Sequence, residues 1–202
     1  MEIALDHLSP ALAIWHHYDP KVKADLFGTA LRTSAGLFFI DPTPLPPADL
    51  ATLLGGQTLT GIVVTNANHA RGAVSLAQKF SSPIFARPEA KPELALGEIV
   101  ELGDGREIAP GLVAIAIDGA VAGEIALLDR ADGGTLILGD ALINMEPHGF
   151  AFLPAKYCSN PKLMRRSLRK LTEFDFERIL FAHGMPVITQ ARQRLLQLLE
   201  SA

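Results

Sequence analysis

The segment Gly61–Ala73, GIVVTNANHARGA, decides how the rest of the chain is interpreted. Its first part, Ile62–Thr65, is an unbroken run of β-branched residues, which is typical of a buried strand. From Ala70 to Phe80 the apolar residues recur with a helical period, which predicts a helix. The turn between them contains one clear metal ligand, His69, followed two residues later by Arg71. The segment therefore predicts a strand–turn–helix unit that carries chemistry in its turn.

Short apolar runs predict strands along much of the remaining chain. They are Ala11–Trp15, Leu26–Arg32, Gly36–Ile40, Pro83–Ala86, Glu98–Leu102, Leu112–Ile117, Glu124–Leu128, Thr135–Leu138 and Arg178–Ala182. Helical periods are found over 48–54, from Leu163 to Phe174 and from Ile188 to Leu199. Each half of the chain thus has several strands followed by a helix, which indicates a mixed α/β protein. We expect a single domain over residues 1–202.

Composition excludes several classes of function. The formal net charge is -4 and the pI is about 5.8, so a basic footprint for nucleic acid is absent. No apolar run reaches the roughly 18 residues that a membrane helix needs, and no signal peptide is evident. A single cysteine, Cys158, excludes an internal disulfide and favours a reducing compartment. We therefore expect a cytoplasmic protein without nucleic-acid or membrane partners.

Polar residues follow three of the predicted strands at the point where each strand ends. The three junctions are Val64–Asn66, Leu138–Asp140 and Ala182–Gly184. Asp140 and His183, delivered in this way by rigid strands, could bind a metal ion or share a proton. Other interpretations remain open, because Asp140 also fits a helix cap or a turn and His183 also fits a hydrogen-bonded core histidine. His69, at a helix start, is more typical of the protein surface.

The order of these motifs resembles the metallo-β-lactamase-fold superfamily over nearly the whole chain. The segments that carry the resemblance are Phe38–Pro42, Thr65–Arg71, Ile117–Glu124, Ile137–Leu142 and Ile179–Pro186. They are similar to the early strand that ends in Asp-Pro, the ligand-rich turn, the Gly-His loop, the Gly-Asp motif and the final His-Gly strand end of that family. The resemblance implies a four-layer αββα sandwich.

The resemblance also implies which residues stand at the metal-ligand positions of the family. The three histidines of the first metal site are replaced by Asn66, Asn68 and Ala120. At the second site an aspartate and a histidine are replaced by Ala70 and Arg71, while His183 and the bridging Asp140 are retained. His69 falls on an intervening position. By this resemblance the metal site is degenerate, and a dinuclear zinc centre is not expected.

The altered ligand set suggests what fills the site instead. Removing two dications leaves the Asp140 carboxylate uncompensated, and the Arg71 guanidinium is a suitable partner. We therefore predict that Arg71 pairs with Asp140, with Asn66 and Asn68 in a hydrogen-bond network with His183. No cofactor is then expected. The alternative is one divalent metal ion, Zn, Mn or Fe, held by Asp140, His183 and His69.

The sequence is compatible with three functions. The leading one is a binding or regulatory protein whose pocket is kept for a small molecule or a partner. The guanidinium and amide donors of Asn66, Asn68 and Arg71 could hold an anionic group there. The alternative is an active hydrolase, mononuclear or metal-free, that uses Asp140 and His183. A third is a homo-oligomer that associates through the apolar face of residues 195–199. The segment Met145–Ser159 either shapes a pocket wall or covers the edge of the sheet.

Overall fold

The structure, a computed structural model, describes residues 3–91 and 98–201. The chain divides into two compact units, Met1–Leu102 and Gly103–Ala202, each with a sheet and helices of its own. The expectation of a single domain over 1–202 stays a prediction. None of the helices in the described part of the chain combines the length and the apolar composition that crossing a bilayer requires.

The first unit is built on a sheet whose strands follow the order of the chain. They are β1 (Ala4–Ser9), β2 (Leu12–Asp19), β3 (Ala24–Thr33), β4 (Gly36–Ile40), β5 (Leu59–Val63), β6 (Ile84–Ala86) and β7 (Val100–Glu101). Neighbouring strands are antiparallel from β1 to β4 and parallel from β4 to β7. The change follows from the connections, because parallel strands need a crossover longer than a hairpin turn. Helices α1 (Pro47–Leu54) and α2 (Ala73–Phe80) lie in the first two crossovers.

Helix α1 confirms the prediction over 48–54, and its ends have suitable residues. Pro47 occupies the first helical position, where its missing N–H costs no hydrogen bond. Gly55 ends the helix in the left-handed region, with φ of 57°, and its N–H donates to the carbonyl of Ala51 at 3.0 Å.

Helix α2 begins three residues later than the sequence predicts. Gly72 caps the helix, and Arg71 just before it has a positive φ of 35°, which no helix accommodates. A hydrophobic period cannot reveal this break, because it records which residues are apolar and not the backbone conformation of a polar residue such as Arg71. Ala70 and Arg71 therefore belong to the turn.

The second unit contains a mixed sheet in the order β14-β11-β10-β9-β8. Its strands are β8 (Glu107–Ala109), β9 (Leu112–Ala116), β10 (Ile125–Asp129), β11 (Thr135–Leu138) and β14 (Arg178–Phe181). The segment Asp132-Gly133-Gly134 predicts a hairpin between the strands on either side, and the antiparallel pairing of β10 with β11 confirms it. Strand β14 pairs with β11 in parallel. Helices α3 (Pro161–Arg169) and α4 (Ala191–Glu200) complete the unit.

A hairpin of β12 (Leu142–Met145) and β13 (Gly149–Phe152) was not predicted from the sequence. The rings of Phe150 and Phe181 pack edge to face, with centroids 5.7 Å apart. The guanidinium of Arg194 lies 5.5 Å from the Phe150 ring, and that of Arg165 lies 5.0 Å from the Phe152 ring. Two residues of the segment 145–159, Phe150 and Phe152, thus contact elements of their own unit through aromatic and cation–π interactions.

The apolar face of α4 is buried inside the second unit. Leu195 and Leu199 have at most 2% of their surface exposed and belong to a core that also contains Leu168 and Ile179. Ile188, which the sequence assigned to this helix, precedes it and is exposed. The face proposed for self-association is therefore occupied by core packing, and a homo-oligomer stays a prediction.

Candidate functional site

The first group of polar residues surrounds Asp41, which directly follows β4. Its carboxylate accepts hydrogen bonds from the backbone N–H and the hydroxyl of Thr65. Its Oδ2 lies 2.8 Å from Nδ1 of His69, and Thr65 Oγ1 lies 3.0 Å from the same nitrogen. Asp41 has a positive φ of 46°, a conformation that aspartate tolerates better than most residues. The three side chains form one buried hydrogen-bonded unit.

His69 is buried, with 2% of its surface exposed, so its expected place on the surface is wrong. The reason is the contact with Asp41, which lies 28 residues away in sequence. A local pattern cannot detect such a contact. Asp41 itself was noted only as part of an Asp-Pro motif, and its buried carboxylate is the residue that sequence reasoning missed here.

The pKa of Asp41 lies below its ordinary value. Burial is the largest effect and by itself raises the pKa, because it disfavours the charged form. The charge and hydrogen bond of His69, the charge of Arg71 and the hydrogen bond of Thr65 together outweigh it. Asp41 is therefore an ionised carboxylate at neutral pH.

The side chain of Asn66 is fully buried and stabilises the turn in which Asn66 lies. Its Oδ1 accepts a hydrogen bond from the backbone N–H of Asn68 at 2.9 Å, an arrangement that stabilises turns. The side chain of Asn68, in contrast, is exposed. The amide oxygen of Asn66 thus has a structural task at the position that the resemblance assigns to a metal-ligating histidine.

Arg71 is half-buried and is anchored by main-chain oxygens. Its Nη1 donates to the carbonyl of Phe27 at 2.7 Å and lies 3.4 Å from the carbonyl of Asp41. The left-handed backbone of Arg71 and these side-chain contacts are found together in the turn. The pairing of Arg71 with Asp140 stays a prediction, as does the network of Asn66 and Asn68 with His183.

The second group, Asp140 and His183, lies in the second unit at the ends of two adjacent parallel strands. Leu138 of β11 is in register with Phe181 of β14, so the residues two positions further along each strand meet at the same edge. Asp140 Oδ1 lies 3.3 Å from His183 Nε2. Asp140 is buried, whereas the His183 side chain keeps 17% of its surface exposed. The two residues predicted from strand ends therefore form a pair.

The turn that carries His183 is fixed by β12. The N–H of Asn144 donates to the carbonyl of His183 at 3.1 Å, and the N–H of Met185 donates to the carbonyl of Asn144 at 3.0 Å. Gly184 between them has a φ of 108°, and a Cβ there would lie 2.0 Å from the Asn144 oxygen. Glycine is required by both the backbone angle and the space, which explains the His-Gly sequence.

Two further residues of the second unit, Ala120 and Glu124, are buried. Ala120 is buried in the hydrophobic core, so the position that the resemblance assigns to a histidine has a packing function. Glu124 is fully buried, and its Oε1 accepts a hydrogen bond from the N–H of Ala141, next to Asp140. In the sequence, Glu124 is the last residue of the Ile117–Glu124 segment and the first residue of a predicted strand, and neither pattern predicts a role for its carboxylate. A charged residue at the head of an apolar run was the signal that could have identified it.

Comparison with known proteins assigns the family. The family model of the metallo-beta-lactamase superfamily matches residues 5–202. The chain therefore belongs to the metallo-β-lactamase superfamily, as its motifs predicted. None of the curated proteins matches it.

Solved structures confirm the fold. The metallo-beta-lactamase from Pontibacter korlensis is similar with a TM-score of 0.78 and 15% identity, and the match covers 100% of both chains. The metallo beta lactamase from Erythrobacter litoralis gives 0.78 and 15%, covering 100% of this chain and 97% of that one. TTHA1623, in a di-iron-bound form, gives 0.67 and 21%, covering 89% of this chain and 97% of that one. At these identities the likeness shows the metallo-β-lactamase fold and nothing about activity.

Proposed function

We propose that this protein is a hydrolase-like member of its superfamily with a reduced metal site, in which Asp140 and His183 hold one divalent metal ion. It is not a dinuclear zinc hydrolase. The observation that carries this proposal is the 3.3 Å separation of Asp140 Oδ1 and His183 Nε2. Two ligand atoms that each lie about 2.0–2.1 Å from a tetrahedral zinc ion are separated by about 3.4 Å.

The donor set supports one metal ion and argues against two. The positions that would supply most of the remaining ligands hold Asn66, Asn68, Ala70, Arg71 and Ala120. The Asn66 oxygen is used by its turn, and Ala120 lies in the core. Neutral amides are poor zinc ligands in any case, since zinc prefers imidazole, thiolate and carboxylate. This set does not fit a dinuclear centre.

The pair has the chemistry that hydrolysis requires. A bound divalent ion would supply Lewis acidity at the ends of β11 and β14. Asp140 would contribute a negative charge, and the His183 turn, fixed by Asn144, would hold the imidazole in one orientation. A metal-free mechanism, in which the same pair orients water as a general base, is a separate alternative that the metal titration distinguishes from this proposal.

The proposal is tested by titrating the chelator-treated protein with Zn²⁺, Mn²⁺ and Fe²⁺ in a calorimeter. We expect one site per chain, and we expect Asp140→Asn and His183→Gln each to weaken it on the order of 100-fold or more. Removing a direct ligand should weaken metal affinity by more than the about 10–100-fold that is typical when a hydrogen-bonding partner of a ligand is removed.

Matched controls exist for both substitutions. Asp175→Asn and His148→Gln alter an exposed aspartate and an exposed histidine of the same unit, and each should leave the affinity unchanged. Affinity that survives Asp140→Asn, or a second equivalent of zinc bound as tightly as the first, would contradict the proposal.

A second function, binding of a small anionic molecule without a metal ion, is favoured by Arg71. A half-buried guanidinium keeps its charge at any physiological pH and suits a phosphate or carboxylate. We rank anion binding second because Nη1 of Arg71 already donates a hydrogen bond to a main-chain oxygen. Asp140 and His183, in contrast, already have the separation of metal ligands.

Titration with inorganic phosphate tests this second function. Arg71→Gln should then weaken phosphate binding about tenfold or more, the loss expected for one charge-assisted hydrogen-bonding partner. The control is Arg87→Gln, since Arg87 is also half-buried but pairs with Glu89 at 2.7 Å. Phosphate binding that is absent, or equal in the two variants, would remove this function from consideration.

A further inference from the structure

We propose that Glu124 is a positioning residue for the metal ligand Asp140. The inference rests on the proposed function, since it supposes that Asp140 and His183 hold a divalent metal ion. Glu124 does not ligate the ion. It holds the backbone beside Asp140, and this contact keeps the Asp140 carboxylate directed at His183. The three residues all lie in the second unit.

The register of the sheet brings Glu124 next to Asp140. Ala126 of β10 lies opposite Leu138 of β11 in an antiparallel pair. Glu124 and Asp140 each lie two positions beyond that pair, so the same register, continued, places them opposite each other. His183 follows β14, which is the other neighbour of β11. The three polar residues thus flank one edge of three adjacent strands.

Glu124 uses its buried carboxylate to hold a backbone group. The residue has none of its surface exposed, which is rare for glutamate and requires compensating hydrogen bonds. Its Oε1 accepts a hydrogen bond from the N–H of Ala141 at 3.0 Å. Carboxylate acceptors form stronger hydrogen bonds than neutral oxygens do. The contact therefore restrains the peptide bond that joins Asp140 to Ala141.

Ala141 is restrained at both of its backbone groups. Its N–H is held by Glu124, and its carbonyl accepts a hydrogen bond from the N–H of Leu153 at 3.1 Å. On the other side of Asp140 lies Gly139, and glycine has the widest backbone freedom of all residues. Asp140 thus has a permissive neighbour before it and a restrained neighbour after it. The direction of its side chain is therefore set from the Ala141 side.

This restraint bears on metal binding through the position of the ligand. A metal ligand has to be held within about 0.5 Å of its productive position, which requires support from the residues around it. Asp140 Oδ1 lies 3.3 Å from His183 Nε2, and the restraint on Ala141 keeps the carboxylate there. A contact that stabilised only the fold would change the free energy of unfolding and leave the metal affinity of the folded protein as it is. Metal affinity therefore distinguishes a positioning role from a purely structural one.

The experiment compares two conservative variants of the full chain in a Zn²⁺ titration. Glu124→Asp keeps the charge but withdraws the oxygen from Ala141, and it should weaken Zn²⁺ binding by about tenfold or more. Glu124→Gln removes the charge but keeps an acceptor at the same length, so it should bind Zn²⁺ more tightly than Glu124→Asp.

A matched control and a second measurement complete the design. Glu107→Asp shortens an exposed carboxylate of the same unit that accepts the N–H of Gly111 at 2.7 Å, and it should leave the affinity unchanged. In the metal-free protein, ¹⁵N-resolved NMR should show the ring signals of His183 shifted in Glu124→Asp and close to wild type in Glu124→Gln.

The outcomes separate this inference from the proposed function. Zn²⁺ binding that is lost in Asp140→Asn but unaffected by Glu124→Asp would overturn the inference and leave the proposed function standing. Affinity that is lower in Glu124→Gln than in Glu124→Asp would also overturn it, because the charge and not the contact would then matter. A wild-type protein that binds no Zn²⁺ would overturn both. If Glu124→Asp fails to fold, a shifted His183 signal and lost affinity in Glu124→Gln overturn the inference, and values close to wild type uphold it.

Discussion

Gly184→Ala is expected to lower the free energy of unfolding by about 3 kcal/mol or more, from left-handed backbone strain and overpacking together. The φ of 108° is one that alanine rarely adopts, and the new Cβ would lie 2.0 Å from the carbonyl oxygen of Asn144. That oxygen belongs to backbone in β12 and cannot move without disturbing its hydrogen bond with Met185. The turn that carries His183 would shift, so metal affinity should fall together with stability.

Gly149→Ala in the neighbouring hairpin is the control for this prediction. Gly149 also has a positive φ, 61°, but a Cβ there would meet no atom within 4 Å among the described residues. Gly149→Ala should lower the free energy of unfolding only by the strain of a left-handed backbone, about 1 kcal/mol. Chemical denaturation of both variants measures the difference. Equal losses for the two glycines would show that the close contact with Asn144 has no energetic consequence.

Asp41→Asn is expected to lower the free energy of unfolding by about 2–3 kcal/mol, because it removes a charged acceptor from the buried hydrogen bonds with Thr65 and His69. Asparagine accepts the left-handed backbone of position 41 nearly as well as aspartate, so the substitution isolates the charge. His69 and Thr65 then lose an anionic acceptor in a buried place. Asp25→Asn, in the exposed pair with His16, should cost at most about 1 kcal/mol.

The Asp41 carboxylate makes the free energy of unfolding depend on pH in the acid range. The pKa of Asp41 is lower in the folded protein than its ordinary value, so its stabilising contribution is present above the pKa of the unfolded chain, about 3.9. That contribution is lost as the pH falls from there through the folded-state pKa. The stability gap between wild type and Asp41→Asn should therefore narrow as the pH falls below about 4. A gap that stays constant from pH 7 to the acid transition would contradict the role of the charge.

The fold was predictable because its signals are local and ordered. The unbroken run at Ile62–Thr65, the hairpin glycines at 133–134 and the His-Gly strand end each identify an element without knowledge of the rest. Their order gave the superfamily. The hairpin of β12 and β13 was missed because the aromatic residues of its segment were open to two interpretations, a pocket wall or a cover for the edge of the sheet.

The site was predictable only in part, because some of its contacts join residues that are far apart in the sequence. Asp140 and His183 follow strands, so their chain positions revealed them. His69 owes its burial to Asp41, and no periodicity connects residues 28 positions apart. The contacts of Arg71 with the carbonyls of Phe27 and Asp41 also join residues that are far apart in the sequence.

The most direct test of the central claim is elemental analysis of the wild-type protein, purified without chelator and then dialysed after exposure to zinc, manganese and iron. We expect one transition-metal ion per chain, reduced to trace level by Asp140→Asn and retained in Asp175→Asn. Two zinc ions per chain would restore the dinuclear centre that we exclude. No metal above trace level, with unchanged thermal stability on metal addition, would contradict the single-metal site and leave anion binding at Arg71 as the function to pursue.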